Sequence, residues 1–189
     1  GGTRGSDARF PRILPVLTQG GNDCDYSGAT HTGKTVWAQK LMEKYKIPYL
    51  SIDHLKMGLI RSGMTDLTPE DDDRLTDLLW PIVREMIKTA IENRQSMIVE
   101  GSYLPFDWKK DFTGKYLKDI RFLCLVFTEH YIRTHFDDIA AHACDIEQRL
   151  CDRVTEEELI LENRRFLEGF RARGFDCEII DEEYPEIDA

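Results

Sequence analysis

The eight residues Gly28-Ala29-Thr30-His31-Thr32-Gly33-Lys34-Thr35 constrain this 189-residue chain more than any other stretch. They match the pattern G-x-x-x-x-G-K-[ST]. Its glycines let the backbone curl until successive N–H groups point inward at an anion. Lys34 is spaced to reach the β and γ phosphates of a nucleoside triphosphate, and the Thr35 hydroxyl to hold Mg²⁺. A helix starting at the end of the loop adds the positive end of its dipole. At average composition the pattern arises by chance in fewer than roughly one chain in a hundred of this length. All eight residues are expected to hold the nucleotide. For His31 the backbone matters more than the ring.

The residues after the loop alternate between helical and strand patterns. A helix is predicted over Lys34–Tyr45 and a short strand at Pro48–Ile52. A helical pattern follows from His54 to Arg61. A long helix is expected to be capped by Thr68 with Pro69 at its first position. Its apolar residues Leu75, Leu78, Leu79, Ile82, Val83, Met86, Ile87 and Ala90 recur at three and four. Gln95–Glu100, Ile120–Phe127 and Phe175–Asp181 read as further strands. Thr128 is placed to cap a helix to about Ile139. Thr155 and Glu158 form a capping box for a helix to about Arg173, ended by Gly174. Short apolar strands separated by helices imply a parallel sheet buried on both faces, in an α/β three-layer architecture.

The segment before the loop fits this plan poorly. Gly20–Tyr26 has no strand character, and the one apolar run upstream, Ile13-Leu14-Pro15-Val16-Leu17, is interrupted by a proline. Residues 1–11 read as a tag or leader and residues 12–26 as an irregular segment, with the reading that it is foreign to the domain slightly ahead. The domain proper is taken as residues 27–189, with a lid at about 140–165.

A formal net charge of −10 argues against a nucleic-acid partner, whose binding needs a basic face, but leaves room for one small phosphate ligand. No apolar run approaches the roughly 18 residues of a membrane span. Five cysteines without a C-x-x-C pair suit reduced thiols and a cytoplasmic setting. The five histidines offer no metal-ligand spacing with a cysteine.

The loop, together with Leu50-Ser51-Ile52-Asp53-His54-Leu55-Lys56, resembles small P-loop kinases of the nucleoside monophosphate kinase-like group. Within it the 2-phosphoglycerate kinase-like and zeta-toxin-like branch is nearest. The resemblance covers about residues 27 to 181 and implies a P-loop NTPase fold with a mostly parallel central sheet and a helical lid. It implies that Asp53 meets the phosphoryl acceptor, accepting or orienting its hydroxyl proton; as a residue alone, Asp53 also suits a helix N-cap. Lys56 stands where the group often carries an arginine for the acceptor's phosphate, and Arg61 is a substitute. Glu100, ending a strand, is implied to hold a Mg²⁺-bound water or touch the acceptor. Arg149 and Arg153, four apart on one helix face, are the lid arginines, with Arg133, Arg164 and Arg165 as alternatives. The stretch Tyr103-Leu104-Pro105-Phe106-Asp107-Trp108 lacks the arginine that nucleotide acceptors call for. It suggests either a differently shaped acceptor pocket or a packed loop.

The expected activity is ATP- and Mg²⁺-dependent phosphoryl transfer to a small-molecule acceptor. The catalytic set is Lys34, Asp53, Glu100, Arg149 and Arg153, and the acceptor set is Asp53, Lys56, Arg61 and Glu100. A non-catalytic ATP-binding module and a toxin-type sugar-nucleotide kinase are the alternatives.

Overall fold

Among the described residues, five strands and six α-helices follow one another. The computed structural model describes residues 13–17, 34–142, 155–175 and 177–183, with backbone alone for 13–17, 34–37, 72 and 142. In order they are β1 (Ile13–Leu17), α1 (Lys34–Tyr45), β2 (Tyr49–Ser51), α2 (Ile52–Arg61), α3 (Asp72–Glu92) and β3 (Met97–Gly101). A 3₁₀ turn (Trp108–Asp111), α4 (Gly114–Leu117), β4 (Leu125–Phe127), α5 (Glu129–His142), α6 (Glu156–Arg171) and β5 (Glu178–Ile180) complete them. β1, β3 and β2 pair in that order, and β4 pairs with β5; every pair is parallel.

Side chains alternate across a strand, and the two cores follow that alternation. Ile98, Leu125, Phe127 and Ile180 join Ala38 and Leu41 of α1 and Tyr131, Ile132 and Ile139 of α5 in one cluster. Val99 and Val126 join Leu75, Leu79, Val83 and Ile87 of α3, with Ile52 of α2, in the other. Adjacent residues of β3 and β4 thus feed opposite cores, so the strands form the middle of three layers. α6 serves both cores, with Leu159 and Ile160 in the first and Phe166 and Phe170 in the second.

The N-terminal run departs from the sequence expectation. Ile13–Leu17 is a strand in register with β3, Ile13 opposite Met97 and Leu17 opposite Gly101. Among the described residues β1 is an edge of the three-stranded sheet, a position that tolerates the missing N–H of a proline. The segment therefore carries sheet structure at residues 13–17. Thr68 also differs. It does not cap α3; its N–H and hydroxyl donate to Asp71 Oδ2 at 2.8 and 3.0 Å, across a turn closed by Asp71 N–H to Thr68 C=O. Pro69 sits at the second position of that turn, where its fixed φ fits, and the helix begins three residues later than expected.

Other helix ends form as the sequence implies. Tyr131 N–H donates to Thr128 Oγ1 at 3.0 Å. Thr155 and Glu158 complete the capping box. Gly174 takes φ +73° beyond the end of α6, where the N–H of Phe175 reaches back to Phe170 C=O.

Candidate functional site: the carboxyl edge of the sheet

The parallel register brings the C-terminal ends of three strands together. Leu17 lies opposite Gly101, and Ser51 opposite Glu100. α1 ends at Tyr45 and only three residues separate it from β2, so its C-terminus lies near the opposite edge. Twelve helical residues span about 18 Å, which returns the start of α1, at Lys34 and Thr35, toward the carboxyl edge. In open α/β sheets this edge is where ligands bind. The loop residues Gly28 to Gly33 lie outside the described residues, as do Arg149, Arg153 and much of the expected lid.

Which face each group takes follows from the pleat. Glu100 shares the face of Ile98, and Ser51 that of Tyr49; both belong to the α1 side of the sheet. Glu100 is 1 % exposed and Ser51 2 %. The Ser51 hydroxyl is buried and has no hydrogen-bond partner among the described residues. A buried carboxylate and hydroxyl thus end neighbouring strands on the face where the loop's helix packs. Such oxygens suit a hydrated, hard cation. Among the described residues, no three His, Cys, Asp and Glu side chains gather into a metal cage.

α2 begins without a linker after Ser51, and its N-cap is Ser51, not Asp53. Asp53 therefore occupies the first helical turn, where a negative charge is favoured. The approach of α2 to β3 depends on Gly101. Its φ is +146°, and a Cβ there would lie 2.6 Å from Ile52 Cβ. No side chain fits between them. That contact holds the residue before Asp53 against the residue after Glu100.

Beyond Gly101 the chain supplies Tyr103, which is 6 % exposed. Lys56 Nζ donates to Tyr103 Oη at 2.9 Å and lies 2.7 Å from Asp53 Oδ1. The ammonium is also 4.9 Å from the Tyr103 ring centroid. Asp53 and Lys56 are thus brought together with a residue 47 positions later, one that sequence reasoning did not single out. In the sequence it stood only as the first residue of the Tyr103–Trp108 stretch, two residues past the strand.

The other aromatics of that stretch are core. Trp108 is 3 % exposed and stacks on Phe175 at 5.7 Å; Phe106 meets Phe170 edge-on at 4.9 Å. Gly169 makes room for the Phe106 ring, which would stand 2.7 Å from a Cβ. The stretch is therefore a packed loop whose first aromatic, Tyr103, also touches α2.

Arg61 is exposed in the last turn of α2, eight residues and about 12 Å of helix beyond Asp53. The structure does not gather it with Asp53 and Lys56. Arg133 bonds Glu129 on its own helix and Glu156 and Glu157 on α6, and these acids, Glu157 foremost, push its pKa up. Arg164 adds a second link to Glu129 at 3.1 Å. In the described chain these two arginines tie α5 to α6.

No family model and no curated protein matches the chain. Solved structures do. One, from Chloroflexus aurantiacus and provisionally described as a kinase, aligns over 95% of this chain and 92% of its own, with TM-score 0.52 and 16% identity. A gluconokinase from Sinorhizobium meliloti aligns over 94% of this chain and 86% of its own at TM-score 0.49 and 18% identity, too loose a likeness to argue from. At such low identity the first likeness speaks for fold alone. The fold is α/β of the P-loop type with parallel strands, shared with a protein described as a kinase. Among the described residues no helix is long and apolar enough to cross a membrane.

Proposed function

We propose that this chain is an ATP-dependent phosphotransferase acting on a small molecule that offers a hydroxyl group. The observation that carries the reading is the convergence at one sheet edge. The start of α1, the buried carboxylate of Glu100 and the first turn of α2 with Asp53 meet there. The description of the Chloroflexus protein as a kinase adds support.

Gly28 to Thr35 cradle the phosphates, and Lys34 offsets charge on the β and γ groups. Thr35 would hold Mg²⁺ and Glu100 its water, with Ser51 beside it, and the ion would supply positive charge against the transferring phosphates. Asp53 accepts the acceptor's hydroxyl proton as the oxygen bonds to the γ phosphorus. The bond from that phosphorus to the bridging oxygen breaks, and ADP leaves. Arg149 and Arg153 are the candidates for closing over the transferred group. Catalysis then rests on positioning and charge, with no covalent enzyme intermediate. The acceptor is defined by its hydroxyl; the 2-phosphoglycerate kinase-like and zeta-toxin-like branch that the sequence resembles would add a phosphorylated acceptor, the alternative that the panel below tests. A cytoplasmic setting fits the cysteine usage.

The test is coupled ADP release over a panel of alcohols, sugars and sugar nucleotides, with ATP calorimetry alongside. Acceptor-stimulated release that Lys34→Ala removes supports the proposal. Full turnover in Lys34→Ala overturns it. Tight ATP binding with no release for any acceptor points instead to a nucleotide-binding module, and release confined to sugar nucleotides to the toxin-type activity.

A further inference from the structure

Lys56 stands where an acceptor's phosphate would be read, but its contacts favour another role. We propose that Lys56 is a positioning residue which, anchored by Tyr103, holds the Asp53 carboxylate for an uncharged hydroxyl acceptor. This rests on the phosphotransferase reading and adds to it both a role for Tyr103 and a substrate class.

The geometry carries the argument. An ammonium has three donor hydrogens. One direction is used by Asp53 Oδ1 at 2.7 Å and another by Tyr103 Oη at 2.9 Å. The Lys56 and Asp53 side chains are only 13 % and 17 % exposed. A pair so shielded is held far more firmly than one in water, and removing either partner leaves a poorly solvated charge. To grip a phosphate, Lys56 would have to loosen both contacts.

The two anchors come from separate parts of the chain. Asp53 and Lys56 lie one turn apart on α2. Tyr103 comes from the segment after β3, whose start is pressed against Ile52 at Gly101. The lysine therefore ties α2 to that segment and limits the swing of the Asp53 side chain. Charge supports the same conclusion. Asp53 and Lys56 together are neutral, so this pair gives an anionic acceptor little net attraction. A neutral hydroxyl can still donate to the carboxylate.

Steady-state kinetics with neutral alcohols and with phosphorylated acceptors separates the two roles. For a positioning lysine, Lys56→Met lowers kcat by roughly 10- to 100-fold, while the acceptor KM changes by less than about threefold. Lys56→Arg recovers part of the loss, because a guanidinium also reaches the carboxylate. Tyr103→Phe lowers kcat by a smaller factor, about three- to tenfold. The proposal is overturned if Lys56→Met raises the acceptor KM about tenfold at unchanged kcat. It is equally overturned if phosphorylated acceptors outperform neutral ones in the wild type and lose that advantage in Lys56→Met.

A second measurement needs no turnover. The rate of Lys56 acetylation, followed by peptide mass spectrometry on the folded chain, should be slow beside that of the exposed Lys118. It should rise in Asp53→Asn and in Tyr103→Phe, each checked by circular dichroism to be folded. A Lys56 that reacts as fast as Lys118, or at a rate neither variant changes, shows that the clamp does not exist. A wild-type chain that transfers phosphate to no alcohol overturns the function and the role with it; acetylation still reports separately on the clamp.

Discussion

Lys56 and Arg133 are both cations set among carboxylates, and they do different work. Lys56 meets one acid and one tyrosine in a setting where its side chain is 13 % exposed. Arg133 meets three glutamates with its side chain 42 % exposed. Counting partners would rank Arg133 as the stronger anchor. Solvent reverses that order. Exposed ion pairs are screened and often contribute little, whereas a shielded pair holds its geometry. The contrast separates a place where charge would fix the proposed reacting group, Asp53, from one where charge links two helices.

The sharpest way to break that contrast is Asp53→Asn. If the shielded pair serves the chemistry, acceptor-stimulated ADP release should fall by about 10²- to 10⁴-fold, with ATP affinity by calorimetry nearly unchanged. Gly101→Ala should come next. Strain at φ +146° and the 2.6 Å approach to Ile52 should cost roughly 2–3 kcal/mol in urea unfolding and reduce turnover as well. Thr155→Ala should cost about 1 kcal/mol in the same assay, through loss of the α6 cap, with kcat little altered.

The same cap has a pH signature. Hydrogen bonds from the Thr155 backbone N–H and hydroxyl hold the Glu158 carboxyl below its ordinary 4.5. Its contribution is therefore complete above about pH 4.5 and fades as the pH falls through the lowered value. The stability gap between wild type and Glu158→Gln should be open at neutral pH and close in acid. Arg133→Met should have the smallest effect. Its unfolding midpoint should shift less than that of Thr155→Ala, and any shift should shrink in added salt. A loss exceeding that of Thr155→Ala would erase the distinction between the two cations.

What could be read in advance followed the range of the interactions. Helix ends governed by neighbours within four residues were legible, as at Thr128, Thr155 and Gly174. The span of α1, Lys34–Tyr45, is the one its sequence implies. Thr68 misled because the same residue types suit both a cap and a turn, and Asp71 offered the turn a better acceptor. β1 was obscured by Pro15, since strand propensity says nothing of edge position. Ile120–Phe127 read as one long strand, yet the strand proper is Leu125–Phe127, because parallel pairing with β5 covers only three residues. Phe106 and Trp108 could have lined a pocket or filled a core; only the surrounding Phe166, Phe170 and Phe175 decide for the core.

Sequence alone determined the chemistry on offer: a glycine-lysine-threonine loop ahead of a helix, and acids at the ends of two strand patterns. These are local patterns, carried by spacing along one stretch of chain. Tertiary structure decided how the acids are placed. Parallel register set Glu100 beside Ser51 on the α1 face. The close packing of Gly101 on Ile52 brought Tyr103 across 47 residues to Lys56, which already stood one turn from Asp53 on α2. Contacts of that separation depend on how strands pair and helices pack, and no spacing rule along the chain encodes them.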